Sequence, residues 1–214
     1  MIERYTRPEM GHLWSIQNEW QTILNVEIAA CEAMAELGEI PAAAVENIKA
    51  NAKFDVARIN EIEKTTDHDI IAFLTNLEEN VGEDSKYIHK GLTSSDVKDT
   101  AYCIMMRDAA AIILDDLRAF RTVLRRRADE FRHTPCIGRT HGIHAEPMTF
   151  GLKMLLWSAE IERDIERLTR AKETVSVGKL SGAVGTYSNI DPRIEELTCK
   201  KLGLTPVRLA TQVI

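Results

Sequence analysis

The sequence of 214 residues has few of the features that mark membrane, secreted or nucleic-acid-binding proteins. It contains no run of the roughly 18 uncharged apolar residues that a transmembrane helix requires, and its first residues, MIERYTRPEM, lack the apolar core of a signal peptide. Its 27 lysines and arginines are outnumbered by 33 aspartates and glutamates, so no overall basic field attracts nucleic acid. We therefore expect a soluble, cytoplasmic protein without nucleic-acid or membrane partners.

Cysteine is scarce and widely spaced. The four cysteines form no C-x-x-C pair and no disulfide-rich pattern, which favours free thiols in a reducing compartment. Hydrophobic residues make up 44% of the chain, which is enough for a buried core and excludes intrinsic disorder. The length suits one large domain or two modest ones.

Strand signals are also missing. Neither alternating apolar patterns nor Asn-Gly or Asp-Gly hairpin signals occur, whereas apolar residues recur at three- and four-residue steps. The pattern predicts an all-α chain, with a small N-terminal helical domain over residues 1–94 and part of a long-helix bundle over 95–214. Caps and breakers predict shorter helices at 15–37, 41–52, 56–64, 70–80 and 192–202, with Ser15, Asp55 and Asp191 as N-caps.

Glycine and proline are absent from residues 96–133, and Ser94 or Ser95 can cap a helix that begins there. At about 1.5 Å per residue such a helix is about 60 Å long, more than an isolated small domain can bury. A second long pattern at 148–174 predicts an antiparallel partner. Both helices need additional partners to cover them.

Breaker residues are concentrated in two segments. Thr134–Pro147, between the long helices, is predicted to be an ordered or functional loop. Gly178–Gly185 has neither the following Lys-Ser/Thr nor the preceding strand of a P-loop, so we reject phosphate binding of that kind. The helical pattern stops at Ile214 without a terminating signal, and we interpret this as a truncation.

Polar and ionisable groups gather at three predicted helix ends, residues 65–69, 91–96 and 138–147. Helix N-termini offer free backbone N–H groups and a partial positive charge, so Thr93 and Ser94 could hold a carboxylate or a phosphate. The alternative is that these hydroxyls only cap the helix, which is a common use of serine and threonine.

His68 lies between Asp67 and Asp69, which would favour its protonated form if the carboxylates are close in space. A cationic histidine could bind an anion or donate a proton. The alternative is a solvent-exposed histidine beside a helix cap.

His141 and His144, with Glu146 nearby, resemble the spacing of metal ligands. Gly142 and Pro147 argue against a regular helix there, and no compact third and fourth ligands are visible, so we expect no metal site. His141 suits a general acid or base better, because imidazole titrates near the working pH.

Arg4 and Tyr5 could offer a guanidinium and a phenol to a phosphate, the alternative being an exposed polar tail. The run Arg125–Arg127 is interpreted as a solvated face or as salt bridges with Asp129 and Glu130. The remaining histidines have no supporting constellation: His12, His89 and His133.

Two segments together resemble the first two signature regions of the fumarase/aspartase superfamily. They are Thr93–Thr100 (TSSDVKDT) and Gly138–Pro147 (GRTHGIHAEP), in the family's order and at a fitting separation. The pairs Arg4-Tyr5 and His68-Asp69, with Gly185–Asn189 and Thr211–Val213, make the chain similar to the adenylosuccinate lyase family over all 214 residues.

The resemblance implies β-elimination of fumarate, with cleavage of a C–N bond, from adenylosuccinate to give AMP and from the succinyl-carboxamide intermediate of purine synthesis. It implies no cofactor. His141 matches the general acid, and His68 the residue that positions the substrate and binds its anionic groups. Arg4 and Tyr5 match residues that bind the nucleotide, and Thr93 and Ser94 match residues that bind the succinyl carboxylates. The remaining matches to substrate contacts are Asp67, Asp69, Thr140 and Gln212.

The resemblance also implies a homotetramer in which three subunits contribute to each active site and the long helices share one bundle. The family's third signature, a mobile loop that carries the catalytic serine, does not occur in these residues, so we expect the chain alone to lack turnover. Two alternatives remain: a related argininosuccinate lyase or fumarase, and a non-catalytic helical assembly module.

Overall fold

The computed structural model describes residues 2–214, and most of these residues are helical. Short 3-10 helices occur at Glu3–Tyr5 and Gly82–Tyr87. The α-helices and β-strands of the described residues are α1 (Pro8–Leu13), α2 (Ile16–Glu36), α3 (Ala42–Asn51), α4 (Val56–Thr66), α5 (Asp69–Val81), α6 (Ser94–Glu130), β1 (Pro135–Thr140), β2 (Ile143–Thr149), α7 (Phe150–Val175), β3 (Val177–Gly178), α8 (Pro192–Leu202) and β4 (Thr205–Pro206).

Side-chain caps begin three of the helices as the sequence predicts. Ser15 Oγ accepts the Asn18 N–H at 3.2 Å at the start of α2. Asp55 does the same for α4 at 2.8 Å, and Asp191 accepts an N–H in the first turn of α8 at 2.8 Å. Each cap supplies an acceptor to an N–H that lacks an intrahelical partner, so local chemistry alone fixes these boundaries.

The prediction that Ser94 or Ser95 caps the long helix was wrong. α6 begins at Ser94, which places both serines inside the first turn. Asp96 accepts the Thr93 N–H through its side chain and donates its own N–H to the Thr93 carbonyl. The aspartate therefore closes the N-terminus of α6 from within the helix.

The chain forms two compact units. The first comprises the chain up to Arg107 together with Val175–Ile214, and the second is Asp108–Thr174. No helix among residues 2–214 is long and apolar enough to cross a membrane.

A continuous apolar core fills the first unit. Trp20 of α2 stacks on Phe73 of α5 with ring centroids 4.9 Å apart, and both side chains are buried. α2 buries one long stripe that includes Val26, Cys31 and Met34, and α8 contributes the fully buried Ile194. Fully burying an aliphatic side chain of this kind is worth about 1.5–3 kcal/mol, so this core is the main source of the unit's stability.

The chain's four cysteines are free, as predicted. Cys31 and Cys199 are fully buried in the first unit, where Cys103 is also buried. Cys136 is half-buried on β1 in the second unit.

The second unit has a much smaller core. Ala128 of α6 lies against Gly151 of α7, and Arg121 of α6 pairs with Glu162 of α7 at 3.3 Å. Residue numbers rise along one helix as they fall along the other, so the two helices are antiparallel, as predicted. The buried apolar residues of this cluster are Leu124, Ala128 and Met154, with Ile161 packed against them.

The predicted loop at Thr134–Pro147 is a β-hairpin, so that prediction was wrong. β1 and β2 pair antiparallel, and Thr140 pairs with Ile143 across a two-residue turn, His141-Gly142. Both turn residues have positive φ, 52° and 75°, which is the geometry of the type I′ hairpin turn. The register shifts at Gly138, where a Cβ would lie 2.8 Å from the Glu146 carbonyl oxygen.

Candidate active site

His68 is itself the N-cap of α5. Its Nδ1 accepts the Ile71 N–H at 3.3 Å, and its side chain is 46% exposed. The cap occupies Nδ1, so Nε2 is the ring nitrogen that remains for contact with a ligand. The nearest carboxylate oxygen, Oδ1 of Asp69, is 3.6 Å from Nδ1, beyond hydrogen-bond distance.

The two aspartates beside His68 have different environments. Asp67 ends α4 in the left-handed conformation, with φ 49°, and is exposed. Asp69 accepts hydrogen bonds from the Ile70 N–H at 2.7 Å and from Lys98 of α6. Partial burial alone would raise the pKa of Asp69, but these two hydrogen bonds and the charge of Lys98 lower it below its ordinary value. Lys98 thus joins the His68 segment to the first turns of α6.

Asp96, at the end of the Thr93–Asp96 segment, is fully buried, and its carboxylate accepts four hydrogen bonds. Its Oδ1 accepts from Lys179 Nζ at 2.5 Å and from the Ser181 N–H at 3.2 Å. Its Oδ2 accepts from the N–H groups of Thr93 and Gly182, both at 3.0 Å. The carboxylate therefore ties the start of α6 to the glycine-rich segment, while Thr93 and the following Ser94 stay partly exposed.

The sequence interpretation missed Lys179, which is fully buried and forms the ion pair with Asp96. Lys179 Nζ also donates to the Gly182 carbonyl at 3.1 Å, and its backbone N–H donates to Thr100 Oγ1 at 3.0 Å. The sequence does carry a signal for this buried lysine: Lys179 is the one charged residue in the run VSVGKLSGAVG. A lysine is rarely fully buried unless it is paired, so a partner could have been sought.

The glycine-rich segment also contacts the end of the chain. Gly185 has φ 76°, and a Cβ there would lie 2.1 Å from the Ala210 carbonyl oxygen. Tyr187, with φ 55°, donates its hydroxyl to the buried Glu195 at 2.7 Å. The segment carrying Gln212 is thereby placed against this turn, and the Gln212 side chain is exposed.

Arg4 and Tyr5 lie in the first 3-10 helix. The Arg4 guanidinium sits over the Tyr5 ring, 4.6 Å from its centroid, and Tyr5 is 71% exposed. A cation held on an aromatic face keeps its N–H groups directed outward and available to an anion.

His141 occupies the tip of the hairpin in the second unit and is exposed, as is Thr140 beside it. Histidine tolerates the left-handed conformation that the first turn position requires, and Gly142 supplies the second at no steric cost. The turn therefore presents an imidazole to the surroundings on a rigid two-residue support. Among residues 2–214 no group of three or more His, Cys, Asp or Glu side chains is placed to hold a metal ion.

His89 was assigned no supporting constellation, and that interpretation was wrong. Its Nδ1 lies 2.6 Å from Oε1 of Glu27, which is 1% exposed, and its backbone N–H donates to the other carboxylate oxygen at 3.0 Å. Burial alone would lower the pKa of His89, but the hydrogen bond and charge of Glu27, with a contribution from Asp96, raise it above its ordinary value.

The family described as Lyase matches residues 3–213. The curated adenylosuccinate lyases of Synechocystis, Bacillus subtilis and Staphylococcus saprophyticus are 55%, 51% and 49% identical to the chain over all 214 residues. The chain spans about half the length of these relatives, 50% in each case.

Solved structures show the same fold. A fumarate lyase from Mesorhizobium superposes with a TM-score of 0.90 at 30% identity, covering 96% of this chain and 50% of its own. The β-carboxy-cis,cis-muconate cycloisomerase of Acinetobacter calcoaceticus superposes with a TM-score of 0.88 at 27% identity, covering 95% and 50%.

Proposed function

The chain belongs to the Lyase family, and from this premise we propose that it forms the N-terminal part of an adenylosuccinate lyase. That enzyme eliminates fumarate from adenylosuccinate, giving AMP, and from the succinyl-carboxamide intermediate of purine biosynthesis. The observation that carries the proposal is that adenylosuccinate lyases share about half of this chain's residues along its whole length. Within this enzyme, we assign residues 1–94 to an N-terminal domain and 95–214 to the central domain.

In the proposed reaction, a base removes a proton next to a carboxylate, and an acid protonates the departing nitrogen. Cationic and N–H donors stabilise the charge that develops on the carboxylate. The exposed imidazole of His141 at the hairpin tip suits the acid, with Thr140 as its helper. The base belongs to a loop outside these 214 residues, and the chain alone is expected to lack turnover.

The substrate contacts follow from the groups that the first unit leaves available. His68, whose Nδ1 caps α5, positions the substrate by donating from Nε2 to an anionic group. Thr93 and Ser94, at the positive end of α6, bind the succinyl carboxylates. Other residues complete the site: Arg4 and Tyr5 at the nucleotide, and Asp67, Asp69 and Gln212 at the remaining polar groups.

A homotetramer that shares its active sites between subunits is part of the proposal. The second unit buries few apolar residues of its own but exposes large side chains along α6 and α7. Apolar faces of this extent on long helices require helical partners. The exposed side chains are Ile113, Phe120, Val123, Leu152, Leu155, Leu156 and Trp157.

The test is fumarate release by the full-length gene product from adenylosuccinate, with argininosuccinate and malate as substrates of the related enzymes. His141→Asn keeps a residue that tolerates φ 52°, so the hairpin persists while the proton donor is lost. We expect kcat to fall about 10²- to 10⁴-fold with an unchanged Tm.

His133→Asn is the matched control, because His133 is an exposed histidine of the same unit with no assigned role. Its kcat should stay within about twofold of the unsubstituted enzyme. If His141→Asn retained most of its rate, the general-acid assignment would be wrong. Turnover of argininosuccinate or malate alone would instead identify a related enzyme.

A further inference from the structure

We propose that Asp96 is a positioning residue of the substrate site, with Lys179 as its buried counter-charge. Asp96 holds Thr93–Ser94 and the segment leading to Gln212 in one fixed arrangement before substrate binds. This inference rests on the proposed function, because it concerns how the groups assigned there to substrate binding are oriented.

Asp96 is connected directly to the proposed carboxylate-binding residues. Its Oδ2 accepts the N–H of Thr93 itself, and it lies in the same helical turn as Ser94. All the strong acceptor positions of the carboxylate are used, by three backbone N–H groups and one ammonium. A charged acceptor with this many fixed donors allows the backbone of Thr93 little freedom.

The same carboxylate reaches the second substrate segment through the glycine-rich turn. It accepts the N–H groups of Ser181 and Gly182. Three residues on, Gly185 lies so close to Ala210 that any side chain would collide with its carbonyl oxygen at 2.1 Å. Gln212 follows two residues later. One buried group thus sets the backbone position of both segments.

Stability alone is a poor explanation for this arrangement. Removing two charges from water is costly, and well-packed apolar side chains of similar volume would stabilise the core as well or better. The ion pair instead fixes the orientation of the backbone around it, because a carboxylate accepts hydrogen bonds from defined positions whereas apolar side chains accept none. Preorganised donors are the groups that bind a charged substrate without reordering.

The experiment uses the full-length enzyme with Asp96→Asn and Lys179→Met combined. Asp96→Asn alone would leave Lys179 as an unpaired buried charge, which the second substitution removes. We expect the double variant to raise KM for adenylosuccinate at least about tenfold, with kcat changed less than about threefold, because the lost contacts act on bound substrate and transition state alike.

Thr100→Val is the matched control. Thr100 is equally buried and its hydroxyl holds the same glycine-rich segment through the Lys179 backbone, but that hydroxyl makes no hydrogen bond to the Asp96 side chain or to Thr93. It should lower Tm and leave KM within about threefold. A double variant with normal KM would overturn the inference, as would a Thr100→Val enzyme whose KM rises equally.

A second measurement needs no substitution. The backbone N–H groups of Thr93 and Gly182 should be protected from hydrogen exchange in the free enzyme, and saturation with AMP and fumarate should change this protection less than about threefold. A rise of tenfold or more would mean that substrate orders the segment, and the inference would fail. Absence of lyase turnover in the unsubstituted enzyme would instead refute the proposed function and this inference with it.

Discussion

The buried pair of Glu27 and His89 predicts how the free energy of unfolding depends on pH. Glu27→Gln keeps the shape of the side chain and removes its charge. Breaking a buried ion pair by removing one partner costs about 3–5 kcal/mol. Glutamine still offers one oxygen to the His89 N–H, so we expect the lower end, about 3 kcal/mol less free energy of unfolding at about pH 6.

The pH dependence follows from the raised pKa of His89. A group whose pKa is higher in the folded than in the unfolded protein stabilises the fold fully below its unfolded pKa, about 6.5. This contribution is lost as the pH rises through the folded value. The cost of Glu27→Gln should therefore be largest at about pH 6 and smaller at about pH 9.

The assay is equilibrium urea denaturation at both pH values and one protein concentration. Glu32→Gln, on the same helix, is the control: Glu32 pairs with Lys49 at 2.9 Å, but that pair is partly exposed and should contribute less than about 1 kcal/mol. If Glu27→Gln cost no more than the control at about pH 6, or cost the same at both pH values, the charged pair inferred from the structure would not exist.

Three further substitutions test local geometry. Gly151→Ala places a Cβ 2.4 Å from the Ala128 carbonyl oxygen, and overpacking of α6 against α7 should destabilise the second unit by about 1–3 kcal/mol, measured by urea denaturation. Gly185→Ala combines φ 76° with the collision at Ala210, so hydrogen-exchange protection of residues 208–214 should fall while that of α2 persists. Asp55→Ala should cost about 1 kcal/mol through the lost cap of α4, and Asp55→Asn much less, in the same denaturation assay.

Helix positions could be predicted because their signals are local. Ser15 and the Asp191-Pro192 pair act within one helical turn. In the structure, α2 begins directly after Ser15 and α8 begins directly after Asp191. The antiparallel long helices followed from the same periodicity. The predicted helix began at residue 70, whereas α5 begins at Asp69, so His68 is the cap itself and not, as the alternative had it, a residue beside the cap.

The hairpin could not be predicted with the usual dipeptides. Its turn uses His141-Gly142 in place of Asn-Gly, its strands contain Pro135 and Pro147, and the register shift at Gly138 interrupts the alternation. The remaining signal for the hairpin was Gly142 directly after His141, because histidine can adopt the positive φ that the turn requires. It was outweighed by the density of breaker residues.

The buried ion pairs were missed for a different reason. Asp96 and Lys179 are 83 residues apart, and Glu27 and His89 are 62 apart, so only the tertiary fold brings them together. In the sequence, Glu27 fits the helical pattern as one polar residue among apolar ones. Periodicity places such a residue on a face but cannot identify its partner.

The buried cysteines give the first unit a chemical reporter of local opening. Burial, with the nearby charges of Glu27 and Glu32, raises the pKa of Cys31 to about 12, and burial together with Glu195 does the same for Cys199. Because only the thiolate attacks alkylating reagents, both sulfurs should react only when the first unit unfolds locally. Cys136 is half-buried on the hairpin of the second unit and is accessible without unfolding, so it provides an internal reference when pulsed alkylation read by mass spectrometry times the opening of the first unit.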